Sequence, residues 1–204
     1  MPYCPVNNRA APLTASIEAQ VLLESGRFAA SAALFDSIAA WRLQAMPDAS
    51  YATSRLWFLT QEAAARAALG DAPAVAALRD SVESLGLRTF SERDRRLHHH
   101  VRGLEALMRK DVTGAINHFE QAMYSTTIGY NRTNYELAKA YLLQNRAREA
   151  VGVLRPAARG VVLEGANLHL TLGEIHALLA EAYTALGQAD SARAHAAWGG
   201  SRGQ

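Results

Sequence analysis

Apolar residues recur along this sequence at three- and four-residue spacing, and the runs they form come in pairs separated by two residues. That spacing marks one face of an α-helix. Residues 13–25 lead into Gly26-Arg27 and then 28–41. Residues 53–69 lead into Gly70-Asp71 and then 73–85. Residues 93–109 lead into Lys110-Asp111 and then 112–124, with Ser91 as N-cap near the start and Asp94 three residues on. Residues 132–144 lead into Asn145-Arg146 and then 147–158, and 170–186 lead into Gly187-Gln188 and then 189–198. So short a break returns the second helix alongside the first, antiparallel to it. The pattern predicts five helical hairpins.

The breaks share one design. Gly opens three of them and Asn a fourth, residues suited to the left-handed backbone that ends a helix. Small or apolar residues then restart the apolar stripe. Small residues recur in the second helix of each pair, at Ser31, Val75, Ala115, Ala150 and Ala192, spaced by 44, 40, 35 and 42 positions. Hairpins of this kind cannot bury both faces alone and lean on their neighbours.

Composition sharpens the picture. Half of the 204 residues are hydrophobic, but 41 are alanine and only 7% are aromatic. Such an interior suits helices in close contact. β-Branched residues almost never alternate, which argues against an all-β chain. Net charge is 21 − 19 = +2, so a nucleic-acid partner is not expected. The single cysteine, Cys4, excludes an internal disulfide framework and any all-cysteine metal site, and fits a reducing, cytoplasmic setting. No apolar run approaches the length of a membrane span, and no membrane partner is expected. Residues 1–12 hold three of the six prolines and read as an irregular arm. The repeats occupy 13–198, and 199–204 read as a disordered tail.

The pattern resembles the tetratricopeptide repeat (TPR), a 34-residue helix–turn–helix. The third copy carries the resemblance best, through Gly103, Ala115, Phe119 and Ala122. The fourth matches at Leu137, Ala138, Tyr141, Ala150, Leu154 and Ala157, the fifth at Leu179, Ala180, Tyr183, Gly187 and Ala192, and the first at Ala19, Leu22, Gly26, Phe28 and Phe35. The second copy departs most, with Arg79 in an aromatic position. The resemblance implies an all-α, right-handed superhelical solenoid of about five TPR-like hairpins. The last third, through RDRRLHHHVRG, GYNRTNYELA, AVGVLRPAARG and NLHLTLGEIHALLAEAY, is also similar to C-terminal repeat regions of large bacterial signalling proteins. Some serine/threonine kinases and transcriptional activators are among them. That implies an alternative reading as a detached regulatory or sensor module.

In the family the first helix of each pair lines a concave groove that takes a protein or peptide segment. By that resemblance Trp57, His100, Leu104, Met108, Arg132, Tyr135, Lys139 and Glu181 are the groove candidates. Some members clamp a terminal carboxylate with Lys and Asn. Here only Arg132 and Lys139 sit suitably, so that mode is not expected. The last hairpin has no further helix over it, which predicts an open apolar end at Leu179, Ala180, Tyr183 and Trp198, available for homo-oligomer contacts.

Other chemistry is sparse. Three consecutive histidines, His98, His99 and His100, point about 100° apart on a helix and cannot all chelate one metal. One is expected in the core, one in the groove and one in solvent. His169 and His176 lack the spacing and third ligand of a zinc site. Nucleophile elbows and phosphate-binding glycine loops are absent. No catalytic residue, cofactor or metal is expected. Arg88–Arg102 forms the densest cationic stretch, offset by Glu92 and Asp94, and reads first as a solvated helix start with internal ion pairs.

Overall fold

The computed structural model describes residues 11–45, 49–126, 131–159 and 172–200. Among these the regular structure is entirely helical: α1 (Ala11–Glu24), α2 (Phe28–Ala45), α3 (Ala49–Ala68), α4 (Ala72–Gly86), α5 (Glu92–Arg95), α6 (Leu97–Met108), α7 (Val112–Ala122), α8 (Asn131–Leu143), α9 (Ala147–Ala157), α10 (Leu172–Ala185) and α11 (Ala189–Gly200). The expected hairpins are α1–α2, α3–α4, α6–α7, α8–α9 and α10–α11.

All five breaks use the same closure. Gly26, Gly70, Lys110, Asn145 and Gly187 have φ of 74°, 76°, 61°, 59° and 70°. Each reversal is locked by two nested backbone bonds. At the first, the Arg27 amide donates to the Leu22 carbonyl (2.8 Å) and the Gly26 amide to Leu23 (3.2 Å). The same pair recurs as Asp71 to Arg66 with Gly70 to Ala67, Asp111 to Ala106 with Lys110 to Leu107, Arg146 to Tyr141 with Asn145 to Leu142, and Gln188 to Tyr183 with Gly187 to Thr184. These are Schellman closures, which satisfy the orphan carbonyls of the ending helix. Two breaks also start the next helix. The Asp71 carboxylate accepts from the Ala74 amide (3.2 Å) and that of Asp111 from the Gly114 amide (2.8 Å).

The chain divides into two compact units, Met1–Val101 and Arg102–Gln204, with the division inside α6. In the first unit each helix packs on the next in chain order, α1 on α2, α2 on α3 and α3 on α4. Ala19, Phe35 and Ile38 form its apolar centre at the first hairpin, with Phe58 of α3 stacked on Phe35. Ser31 is buried there, and its hydroxyl donates to the Ala19 carbonyl at 2.8 Å. That contact is possible only where two helices approach closely. A polar strip, buried at Gln61 and Gln20 and ending at exposed Glu24, runs from α3 to α1: Gln61 Nε2 donates to Gln20 Oε1 (2.6 Å), and Gln20 Nε2 donates to Glu24 Oε1 (3.0 Å). Beside it, burial pushes the Glu62 carboxyl above its usual range, and the Asp36 charge adds to this.

The second unit repeats the scheme: α7 packs on α8, α8 on α9, α9 on α10 and α10 on α11. Gly103 of α6 marks a close approach between helices. A Cβ built there would stand 2.4 Å from Phe119 Cε1, and Phe119 is fully buried. Tyr141 of α8 donates its hydroxyl to Glu120 Oε1 of α7 at 2.7 Å, and Gln144 Nε2 donates to Thr113 Oγ1 at 2.8 Å. Arg132 of α8 pairs with Glu174 of α10 at 3.2 Å, across 42 positions of sequence.

Four details differ from the sequence reading. The run 93–109 is two helices, because the chain turns at Arg96 between α5 and α6. Ser91 does precede a helix, but its side chain makes no cap bond, and the Asp94 side chain meets Trp57 instead. The surface expected to stay open at the last hairpin is closed at Leu179 and Tyr183, which are buried, since α11 lies over α10. Helix α1 begins at Ala11 and α11 reaches Gly200, so the helical span exceeds the expected repeat region at both ends.

Gly103→Ala should destabilise the protein by about 1–3 kcal/mol through overpacking against Phe119, read as a lower urea midpoint at unchanged m-value. Lys110→Gly should act in the opposite sense. A non-glycine residue in left-handed backbone is strained by about 1–2 kcal/mol, and glycine removes part of that while adding unfolded-state freedom. A midpoint unchanged or raised for Gly103→Ala, or lowered for Lys110→Gly, would contradict this account of the hairpins.

Candidate functional site

The first unit holds a cleft of about 440 Å³ lined by Thr53, Ser54, Trp57, Phe90, Ser91, Arg93 and Asp94. Its floor comes from α3, where Thr53 and Trp57 are four residues apart and share a face. Its rim comes from the turn after α4 and from α5. Asp94 is 1% exposed, and its Oδ1 lies 3.5 Å from Trp57 Nε1 and 3.4 Å from Arg93 Nε. The buried carboxylate thus fixes the indole edge and the guanidinium together. Phe90 is 91% exposed and Leu87 77%. Such exposure is unusual for large apolar side chains set beside a concavity. Thr89 anchors the turn between them, its hydroxyl bonded to the Gly86 carbonyl at 3.0 Å.

The second unit presents a different surface, on α8. The Tyr135 ring is half-buried and has two cations near it, Arg132 at 5.6 Å and Lys139 at 5.5 Å from its centroid. Each cation has its own carboxylate: Arg132 pairs with Glu174, and Lys139 with Glu136 at 2.9 Å. Burial raises the Tyr135 phenol above its ordinary value. Burial by itself would lower the Lys139 ammonium, but the adjoining Glu136 charge and hydrogen bond outweigh it, and the net direction is up. Tyr135 is therefore a neutral aromatic surface held rigidly by charged neighbours. Exposed Glu181 lies on α10.

The other groove candidates divide by burial. His100 is 1% exposed, and Leu104 and Arg132 are each 7% exposed, so these three face the interior. Met108, like Trp57, is partly exposed. Of the three consecutive histidines, His100 is in the core, while His98 and His99 are partly exposed with their rings 4.0 Å apart. His98 Nδ1 lies 2.8 Å from the Arg95 carbonyl oxygen. Burial and the charges of Arg102 and Arg109 hold His118 below its ordinary value. His169 and Cys4 lie outside the described residues. Among the described residues no three His, Cys, Asp or Glu converge as a metal would need, and no helix is long and apolar enough to cross a membrane.

Phe90, Asp94, Thr53 and Ser54 escaped the sequence reading, which took Arg93 and Asp94 as part of a solvated charge run. The available signal was Phe90 itself, an aromatic between Thr89 and Ser91 in a segment with no apolar period. Asp94 carried no such signal, because its partner lies 37 positions away.

No family model matches the sequence, and no curated protein matches it. Two crystal structures of nearly identical TPR-like repeats are similar, both from a Podosopora anserina putative kinesin light chain. One is 22% identical with a TM-score of 0.48, and 93% of each chain is covered. The other, a point variant of the same repeats, is 21% identical with a TM-score of 0.49, covering 94% of this chain and 95% of that one. Both are likenesses of fold. Among the described residues the regular structure is all-α, a series of five helical hairpins closed in the same way.

The Tyr141–Glu120 bond fixes α8, and with it Tyr135, against α7. Burial first, and then that bond to a carboxylate, push the Tyr141 phenol up to about 12. A folded-state value above the unfolded one means that the proton is held more tightly in the folded protein. The contribution is fully present below about pH 10 and is lost as pH rises towards the folded value. Ultraviolet phenolate titration should show Tyr141 ionising last, at about 12, after a raised Tyr135, and Tyr141→Phe should remove that latest step while leaving the Tyr135 one. Titration of every tyrosine near the ordinary value would contradict the bond.

Proposed function

We propose that this chain is a non-enzymatic scaffold that binds a segment of another protein, acting in the cytoplasm, which its lone cysteine suits. The observation that carries the reading is the cleft at Trp57. It has an aromatic floor, hydroxyls from Thr53, Ser54 and Ser91 for backbone recognition, and Phe90 projecting almost wholly into solvent at its rim. Its volume lies within the range of pockets that take a large side chain or a small ligand. Aromatic anchors beside fixed polar groups are the usual centre of a protein contact. In the second unit Tyr135 with Lys139 supplies a further contact of the same character.

Capture from a host lysate with wild-type protein, Trp57→Ala and Phe90→Ala, followed by mass spectrometry, identifies the partner. A synthetic peptide from its contact region then gives affinities. Each substitution should weaken that peptide by about tenfold or more, as truncation of an interface anchor does, at unchanged far-ultraviolet circular dichroism. Tyr135→Ala with Lys139→Ala should weaken binding and spare folding. A peptide that binds all these variants as it binds wild type would overturn the assignment of the cleft. A carefully purified protein that turns over a substrate would overturn the non-enzymatic reading.

A further inference from the structure

The last hairpin contains a histidine pair that the proposed scaffold role does not use. His176 of α10 and His195 of α11 face each other with their Nδ1 atoms 2.8 Å apart. The Trp198 ring lies flat over His176, 4.0 Å away and 9° from parallel, and the Tyr183 ring lies over His195 at 5.4 Å and 11°. The four rings form a small cluster joining the two helices. Otherwise α11 buries little of its own surface: none of its described side chains is fully buried, and Ala189, Ala194, Ala196 and Ala197 are all exposed. Beneath it α10 buries Ile175, Leu178, Leu179, Ala182 and Tyr183.

We propose that His176 and His195 form a proton-sensitive latch that holds α11 on α10 and releases it when both rings are protonated. An Nδ1-to-Nδ1 hydrogen bond needs one ring to donate and the other to accept. One added proton preserves it, because an imidazolium Nδ1–H still donates to the neutral partner. A second proton makes both nitrogens donors and sets two like charges at hydrogen-bond distance. Each cation would gain something from the Trp198 or Tyr183 ring face, but like charges this close repel by several times that gain.

Among the described residues the surroundings offer the charged pair no compensation. On α8, Arg132 is committed to Glu174 of α10, and Lys139 to Glu136. The Tyr135 and Tyr141 phenols of α8 are both held in the neutral form. Glu149 of α9 pairs with Arg146, while Arg148 and Arg155 of α9 are exposed. Asp190 and Arg193 of α11 pair with each other in solvent, and Glu181 of α10 is exposed. Burial holds both histidines below their ordinary value, and His195 adds to the effect on His176. A depressed folded-state value gives stability that is complete above the unfolded value. It is lost as pH falls through the folded ones, so the latch opens on the acid side of the ordinary histidine range.

The test is amide exchange of the full chain, resolved by helix and corrected for intrinsic rates, between neutral pH and about pH 5. Helix α11 should lose protection by about three- to tenfold, the worth of one hydrogen bond, while α8 keeps its protection. His195→Gln retains a hydrogen-bonding side chain without a titrating ring and should abolish the pH response. If that variant fails to fold, His195→Phe, which keeps the stacking on Tyr183, should do the same. His98→Gln should leave the response intact. Undiminished α11 protection in acid, simultaneous loss from α8 and α11, or a wild-type response in His195→Gln or His195→Phe would each overturn the latch.

Discussion

The structure rests on five residues that hold the backbone at positive φ, each framed by two nested amide-to-carbonyl bonds. That geometry turns a helix back on itself within two residues. It leaves the outgoing helix no choice of partner but the one just completed. Hairpin pairing is thereby specified by local geometry, and the remaining packing reduces to how one hairpin leans on the next. The use of Lys110 and Asn145 in place of glycine at two of the five shows that the closing bonds outweigh the strain of a side chain there.

Alanine makes the second constraint workable. Where facing positions are Ala, Ser or Gly, helix backbones approach closely enough for Ser31 to bond a carbonyl on its neighbour and for the Phe119 ring to occupy the space a Gly103 side chain would fill. Contact area then comes from backbone proximity, with few bulky groups needed. Large side chains are freed for isolated tasks: Phe35 and Phe119 as plugs, Trp57 and Tyr135 as surfaces.

Helix positions and all five turns were legible in the sequence because both follow from short-range rules, namely apolar period and left-handed tolerance. The break at Arg96 was not, since the charged stretch Arg93–Arg96 reads equally well as the solvated first turn of the helix whose apolar stripe begins at Leu97. Burial at the groove candidates was legible only in part. Family position suggested that His100, Leu104 and Arg132 line a groove, yet all three are buried, and for Arg132 the partner is Glu174, 42 residues on. The cleft at Trp57 depended on Asp94 and Phe90 arriving from a distant segment, a tertiary event with no periodic signature. The imidazole pair was equally hidden, because His176 and His195 are separated by a whole turn and most of two helices.

The Arg132–Glu174 bridge also sets how far a release of α11 can spread. It grips α10 near its first turn from α8, two helices back in the chain. Helix α11 lies beyond that rivet and can peel away while α10 stays seated; detaching α10 as well would strand a largely buried guanidinium. Opening of the fifth hairpin therefore halts after a single helix, and α10 gives way only together with the fourth hairpin.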